Sequence, residues 1–360
     1  MISSIAYGAK SAASKLERME IEREAPKDHE IQIAVLYAGV CHSDIHQVKN
    51  EWKNTLYPCI PGHEVVGKVT KTAKGGRFKE GDIVGVGCMI DSCRQCAPCR
   101  GGDQNYCEGH NGWLATYNGP MVPAEMTDDG VNTYGRDNTF GGYSDTLVVA
   151  EDFVLSIPEK LDIKAAAPIL CAGVTVYSPM KHWGVKAGDK VGVLGLGGLG
   201  HMAVKIAKAL GAEVTVFTST PEKIEEAKKI GADAAFIETD KTALAPLTAS
   251  FDLILSTVPD KHEVTGMLKL LKRDKTLVVV GNLDVIDGVD NSQMAFHRQG
   301  IAGSLIGNLA DTQEILDFCA QHGIAPEIEV IDIKDVNEAY ARVENGESRF
   351  RCVIDMSTLS

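Results

Sequence analysis

Six consecutive residues, Cys41-His42-Ser43-Asp44-Ile45-His46, bring together a thiol, two imidazoles, a hydroxyl and a carboxylate. Further along stand His63-Glu64 and, much later, Cys171. Two thiolates and one imidazole, from Cys41, Cys171 and His63, would make a three-ligand zinc site with an open fourth position. That is the pattern of a catalytic rather than a structural zinc. A lone cysteine such as Cys171 also has a plainer reading, as a small buried hydrophobe. Glu64 adjoins a candidate ligand, where a buried carboxylate beside a dication is reasonable. Asp44 can orient the His63 ring from outside the ligand set, or serve as a capping acid. Ser43 and His46 place a hydroxyl and an imidazole three residues apart. Such a pair could carry a proton from an inner site to water, since imidazole is the side chain that changes charge near neutral pH. A turn-bonded Ser43 and a solvated His46 are the alternative.

A second group of thiols has a different spacing. Cys93, Cys96, Cys99 and Cys107 follow C-x2-C-x2-C-x7-C. Short spacings let successive sulfurs converge on one tetrahedral ion, and four thiolates fill its shell. Water then has no position, so a zinc held there is structural. Four cysteines also hold iron–sulfur clusters, and disulfides are a further option. The polar, glycine-rich loop 101–105 before Cys107 weighs against a cluster.

Composition bounds the partners. At 360 residues the chain has room for about two domains. With 44% hydrophobic and 24% charged residues it is an ordinary globular chain with ample core. A formal charge of −13 argues against nucleic acid, whose phosphates call for basic patches. No apolar run approaches the ~18 residues of a membrane span. Residues 2–13 lack the basic-then-apolar layout of a secretory signal. The ten cysteines therefore read as reduced thiols of a cytoplasmic protein, metal ligands before disulfides. The expected partner is a small molecule.

These side chains need elements to position them. Residues 30–37, 65–69 and 82–86 have strand character punctuated by glycine, which predicts a barrel-like all-β unit. Residues 108–140 are polar, with Trp113 and Tyr117 among Gly, Asn and Asp, and read as a long loop. A strand resumes at 146–149. From about residue 152 the rhythm changes. Strands 190–194, 213–217, 234–237, 252–256 and 276–280 interleave with helices 201–210, 221–230 and 261–271. Strands alternating with helices predict a parallel, doubly wound sheet. The apolar stretch 301–307, a helix 312–322 and a last strand 350–355 then rejoin the first domain. The expected organisation is a catalytic unit of 1–151 and 291–360, interrupted by a nucleotide unit of 152–290.

Gly195-Leu196-Gly197-Gly198-Leu199-Gly200 follows a predicted strand and opens a predicted helix, the context that gives G-x-G-x-x-G its meaning. Gly195 allows the tight turn, Gly197 lets backbone approach a pyrophosphate, and Gly200 lets helix and strand pack closely. The helix N-terminus faces the anion with amides. An acid that binds the NAD ribose is expected about 20 residues on. Thr218-Ser219-Thr220 and Lys223 stand there instead. Hydroxyls and an ammonium accept a 2′-phosphate that a carboxylate would repel, so NADP is favoured. Thr220 also suits an N-cap before Pro221.

The motifs together resemble the zinc-dependent medium-chain alcohol dehydrogenases, and within them the cinnamyl alcohol dehydrogenase branch. G-V-C-H-S-D-I-H, P-G-H-E-V-V-G, the four-cysteine lobe, L-C-A-G-V-T-V-Y-S-P, G-L-G-G-L-G-H and G-S-L-I-G stand in family order across the chain. The resemblance implies a GroES-like β-barrel catalytic domain with an inserted Rossmann domain. It assigns Cys41, His63 and Cys171 to a catalytic zinc with Glu64 beside it, and Cys93, Cys96, Cys99 and Cys107 to a structural zinc. It makes Ser43 and His46 a proton relay and places His42 near the pyrophosphate. Leu196, Gly198, Leu199, Ser304 and Ile306 join the cofactor contacts. Trp52, Trp113 and Leu305 join the substrate pocket. The same resemblance implies two Zn2+ per chain, NADP(H) and a homodimer. The expected reaction interconverts primary alcohols and aldehydes, aromatic (cinnamyl or benzyl type) and aliphatic. The segment after Cys107 is longer than in plant members of the branch. A polyol dehydrogenase, or a binding protein that kept the fold without catalysis, are rival readings. The ligands, relay candidates and missing ribose acid weigh against them.

Overall fold

A computed structural model of the chain describes residues 1–259, 262, 264–283, 285, 286, 288–347 and 351–359. It divides into two units, Met1–Cys171 with Asn308–Ser360, and Ala172–Gly307.

The first unit is built around the strand Glu30–Gly39. Its buried Ile31, Ile33 and Val35 alternate with half-buried Gln32, Ala34 and Leu36, the period of a pleated strand. It pairs antiparallel with Val65–Lys71, with Thr146–Ala150 over residues 30–34, and with Arg351–Asp355 at residues 37–39. The sheet runs Ile328–Asp332, Arg351–Asp355, Glu30–Gly39, Val65–Lys71, Ile83–Val86, Leu155–Ser156, with Thr146–Ala150 off this path. An N-terminal hairpin joins Ile2–Gly8 to Glu17–Arg23. The polar segment 108–140 is mostly loop, as its composition predicts, but Leu114–Ala115 pairs with Met89–Asp91.

The second unit is a six-stranded parallel sheet. Its order is Ala234–Ile237, Glu213–Thr218, Lys190–Leu194, Phe251–Ser256, Leu271–Val279, Gly300–Gly303. The order reverses beside Lys190–Leu194, where a doubly wound sheet opens its ligand crevice. Leu194, Phe217, Phe251, Ile254, Leu268 and Leu277 form its buried core.

The unit boundaries differ from those expected at 152 and 290. Leu155–Ser156 pairs with Ile83–Val86, which keeps residues 152–171 with the first unit. Gly300–Gly303 is the sixth parallel strand, which carries the second unit on to residue 307. Short edge strands carry little periodic signal, so neither was visible in the hydropathy. The expected helix 261–271 is also corrected. Lys261 lies outside the described residues, and the helix observed is the single turn Thr265–Leu268. Leu271 already begins a strand that runs through the charged Lys272-Arg273-Asp274-Lys275 to Val279. A run of buried Val264, Met267, Leu268, Leu270 and Leu271 reads as helical, although it is a buried turn feeding a strand. The last strand is Arg351–Asp355, and Phe350 lies outside the described residues.

Candidate active site

Cys41 ends the Glu30–Gly39 strand's approach and takes the N-cap position of the helix His42–Val48. Asp44, fully buried, holds this corner together. One carboxylate oxygen accepts the Cys41 amide at 3.0 Å. The other accepts the Gly62 amide at 3.0 Å and meets His63 Nδ1 at 2.9 Å. With Nδ1 engaged, Nε2 of His63 faces inward, 3.3 Å from the Cys171 sulfur. Cys171 comes from the helical run that follows Ile163–Pro168. The Tyr117 ring lies 5.7 Å from that of His63.

One donor atom from each of Cys41, His63, Glu64 and Cys171 falls within 4.8 Å of all the others, and all four residues are buried. Glu64 is ion-paired with buried Arg351, yet its Oε2 has no hydrogen-bond partner. Burial pushes the Glu64 carboxyl up to about 7 against the pull of Arg351. Burial alone would depress the His63 imidazole, but Asp44 holds it well above its usual range. The Cys41 thiol is lowered by its hydrogen bond from Cys171, against the effect of burial. Buried acids, thiols and an imidazole with an orphaned oxygen among them fit a dication, which would satisfy all of them at once.

The second thiol group fits a closed site. Cys93, Cys96, Cys99 and Cys107 sulfurs also lie within 4.8 Å of one another. The Cys93–Cys99 and Cys96–Cys107 pairs are 3.9 and 4.0 Å apart. Tetrahedral zinc with ~2.3 Å bonds to sulfur sets neighbouring sulfurs roughly 3.8 Å apart. Disulfide bonding would bring paired sulfurs to ~2.05 Å, and none of the ten cysteines is in a disulfide.

Ser43 and His46 lie on the helix His42–Val48, one turn apart. The His46 Nδ1 pairs closely with the Glu51 carboxylate. Its ring lies 5.5 Å from that of His42 and 5.7 Å from the half-exposed Trp52. Glu51 was not legible as a site residue, because a single acid five positions from a histidine looks like any surface charge. Trp113 is buried. The aromatic ring brought against the metal donors is Tyr117.

In the second unit Gly195 has φ +92, a conformation that side chains avoid. Its amide donates to the Phe217 carbonyl at 2.8 Å, which ties the turn to the next strand. A Cβ on Gly200 would come within 2.2 Å of the Gly195 carbonyl oxygen. A Cβ added to Gly197, the N-cap of helix Gly198–Ala209, would meet nothing within 4 Å beyond its chain neighbours. Open space over a helix N-terminus fits a pyrophosphate. Leu196 is buried and Leu199 half-buried beside it. After Glu213–Thr218, Thr218 is buried, Ser219 exposed, and Thr220 and Lys223 half-exposed. Thr220 has N-cap backbone geometry but no side-chain capping bond, so capping does not consume its hydroxyl. The Ser304 amide bonds the Val279 carbonyl at 3.3 Å, and Leu305 and Ile306 follow. Ile306 has φ +44, which a β-branched residue adopts only where the surroundings impose it.

A buried dication site in one unit and a dinucleotide turn in the other define a metal-dependent dehydrogenase. Residues 27–159 match the family described as alcohol dehydrogenase GroES-like domain, and residues 198–321 the zinc-binding dehydrogenase family. The chain is 44% identical to aldehyde reductase YahK of Escherichia coli over 99% of both chains. It is 45% identical to NADP-dependent alcohol dehydrogenase C 1 of Mycolicibacterium smegmatis over 98% of both. Among solved structures it resembles the Sorghum bicolor cinnamyl alcohol dehydrogenase SbCAD4, with TM-score 0.92, 41% identity, and 99% and 98% of the two chains covered. The Helicobacter pylori cinnamyl alcohol dehydrogenase complexed with NADP(H) gives TM-score 0.88 at 36% identity over 99% of both. The chain belongs to the zinc-dependent medium-chain alcohol dehydrogenases, in the cinnamyl alcohol dehydrogenase branch.

Proposed function

We propose that the protein is a zinc-dependent, NADP(H)-preferring alcohol dehydrogenase that interconverts primary alcohols and aldehydes, aromatic and aliphatic. The observation that carries this reading is the buried set of Cys41, His63, Glu64 and Cys171, converging within 4.8 Å. Cys41, His63 and Cys171 would hold a zinc ion, with Glu64 beside it. Bound there, zinc supplies a Lewis acid for an alcohol or aldehyde oxygen. The 195–200 turn with Thr218, Ser219 and Lys223 would hold NADP(H), which would supply the hydride chemistry there. Cys93, Cys96, Cys99 and Cys107 would hold a second, structural zinc.

The chain's own residues manage position and proton. Asp44 engages His63 Nδ1, which would leave the Nε2 lone pair for a bound zinc ion. Ser43, two residues from Cys41, receives the alcohol proton and passes it on, having no charge with which to keep it. His46 takes it at the half-exposed end, and Glu51 steadies the charged imidazole. Tyr117 is buried with its ring beside His63.

We further propose a cytoplasmic homodimer. Unpaired thiols suit a reducing compartment. Gly300–Gly303 is an edge strand with one pairing side open, and nearby Phe296 is 85% exposed. Light scattering of the purified protein checks the mass. Among the described residues, the one helical run long and apolar enough to cross a membrane, Ile163–His182, has 83% of its apolar window buried in the fold.

The test of function is a kinetic panel of aldehydes and alcohols with both cofactors, followed by nicotinamide absorbance. Turnover of aromatic and aliphatic aldehydes with NADPH is expected. Absence of turnover with every aldehyde and alcohol in zinc-replete protein would overturn the reading.

A further inference from the structure

Four of the six residues in the 195–200 turn are glycine, the residue that loses most conformational freedom when it is ordered. The amides that would face a pyrophosphate keep one arrangement only where the backbone entering helix Gly198–Ala209 is fixed. A neighbouring strand end fixes it. Thr257 directly follows Phe251–Ser256, which pairs with Lys190–Leu194 on the side away from Glu213–Thr218. It therefore stands at the crevice where the strand order reverses. Its amide donates to the Leu194 carbonyl at 2.8 Å, and its hydroxyl meets the Leu194 and Gly195 carbonyls at 3.0 and 3.2 Å. Those two carbonyls lead the chain into the turn. The hydroxyl also occupies space that only glycine leaves open. A Cβ on Gly195 would stand 2.9 Å from Oγ1, and one on Gly200 3.2 Å. Thr257 is held from behind as well. The Val280 and Gly281 amides donate to the Ser256 carbonyl at 2.9 and 3.1 Å, and a Cβ on Gly281 would come within 2.4 Å of the Thr257 carbonyl carbon. Gly195 is thus gripped twice, at its amide by the Phe217 carbonyl at 2.8 Å and at its carbonyl by the Thr257 hydroxyl.

We propose that Thr257 is a positioning residue for the dinucleotide: its hydroxyl holds the Gly195 carbonyl and so arranges the amides of the turn for a pyrophosphate before one binds. The proposal rests on the reading of the 195–200 turn as the NADP(H) site. Thr257 acts through the backbone of that turn. Its effect therefore belongs to the pyrophosphate and not to the 2′-phosphate, which Thr218, Ser219 and Lys223 would meet. A turn that is ordered in the free protein has less freedom left to lose on binding, and the difference appears as affinity. A threonine that only satisfies its own buried hydroxyl would leave no such mark on the ligand.

The test titrates the purified enzyme with two ligands. NADPH binding is followed by nicotinamide fluorescence. Adenosine 2′-monophosphate, which keeps the 2′-phosphate and lacks the pyrophosphate, is followed by calorimetry. Thr257→Val keeps the branched shape and removes the hydroxyl. Its dissociation constant for NADPH should rise about 3–10-fold, the worth of one hydrogen bond, while that for adenosine 2′-monophosphate stays at the parent value. The KM for NADPH should rise by more than kcat falls. Thr257→Ser restores the hydroxyl and should recover NADPH affinity. Thr257→Cys, a weaker donor, should fall between the two, and it carries the same comparison where the valine variant folds poorly. NADPH affinity unchanged in both Thr257→Val and Thr257→Cys, an equal loss for both ligands, or a serine variant as weak as the valine one would overturn the proposal. A parent enzyme that binds no nicotinamide cofactor would overturn the cofactor reading itself, and the parent titration shows this before any variant is compared.

Discussion

Asp44 is a single carboxylate with three jobs. It fixes the Cys41 amide, the Gly62 amide and the His63 ring. Asp44→Asn keeps the shape but turns one acceptor into a donor, so His63 loses its tautomer. Zinc affinity at the buried site should fall about 10–100-fold, as for other residues that orient metal-ligating histidines. Chelator competition measures it, and unchanged affinity would reduce Asp44 to a cap. The relay makes a second prediction. General acid–base groups contribute ~10²–10⁴-fold, but an outer relay group can be partly replaced by buffer. His46→Ala should slow alcohol oxidation most below neutral pH and recover with added imidazole. Glu51→Gln should show a weaker version of the same profile, and Ser43→Ala a larger loss without rescue. An unaltered pH profile in His46→Ala would take it out of the mechanism. At this scale the metal ligands were legible, because thiols and imidazoles at tight spacings have few other uses. Arg351, the counterion of Glu64, was not. The two lie 287 residues apart, and an arginine in a strand carries no mark of its partner.

Elements set the cofactor and part of the stability. The turn after Glu213–Thr218 lacks an acid, and its exposed Ser219 is the position we propose to face a 2′-phosphate, which an acid there would repel. Like charges ~4 Å apart at an effective dielectric of 20 repel by roughly 4 kcal/mol. Even a quarter of that shifts preference about five-fold. Ser219→Asp should therefore move the NADPH/NADH ratio of kcat/KM toward NADH by at least that factor. A parent enzyme faster with NADH would refute the assignment. In the same sheet Asp252 accepts the Lys190 amide at 3.0 Å and meets Lys272 at 2.6 Å, joining three strands. Burial alone would raise its carboxyl, but Lys272 and the Lys190 amide hold it below its usual value. A depressed folded pKa stabilises above the ordinary carboxylate range, and that stability is lost as pH falls through the folded value. Asp252→Asn should thus be less stable at neutral pH and lose less on acidification below about pH 4. Parallel unfolding curves at pH 7 and pH 3 measure the difference. The doubly wound pattern was legible because its central strands carry apolar runs such as Val191–Leu194 and Leu253–Leu255. The strand Leu271–Val279 was half hidden by its charged first half, which falls at an irregularity in the pairing with Phe251–Ser256, between Leu271 and Thr276.

For the whole molecule, two metal sites of opposite character predict two responses. Metal analysis should find about two zinc ions per chain, one more readily exchanged. Cys41→Ala should abolish turnover in a protein that still folds. Cys96→Ala should lower thermal stability, because its site organises the lobe and has no open position for substrate. A fully active Cys41→Ala would sink the assignment of roles. The two-unit organisation was legible in the change of rhythm near residue 152. Its true seams at 171 and 307 were not, since they fall inside a helical run and just after an edge strand.

The interrupted order of the first unit has a consequence for how the chain is made. A ribosome finishes all of Ala172–Gly307 before it has supplied two strands of the other sheet, Ile328–Asp332 and Arg351–Asp355. Until then Gly39 and its neighbours present an unpaired strand edge, and the Glu64 carboxylate waits for Arg351. The nascent protein thus carries all six strands of the parallel sheet while the other sheet still lacks two, with the kind of open strand edge that is prone to association. A transcript interrupted before codon 351 would yield a chain that carries every proposed zinc ligand, yet leaves a buried acid without its counterion.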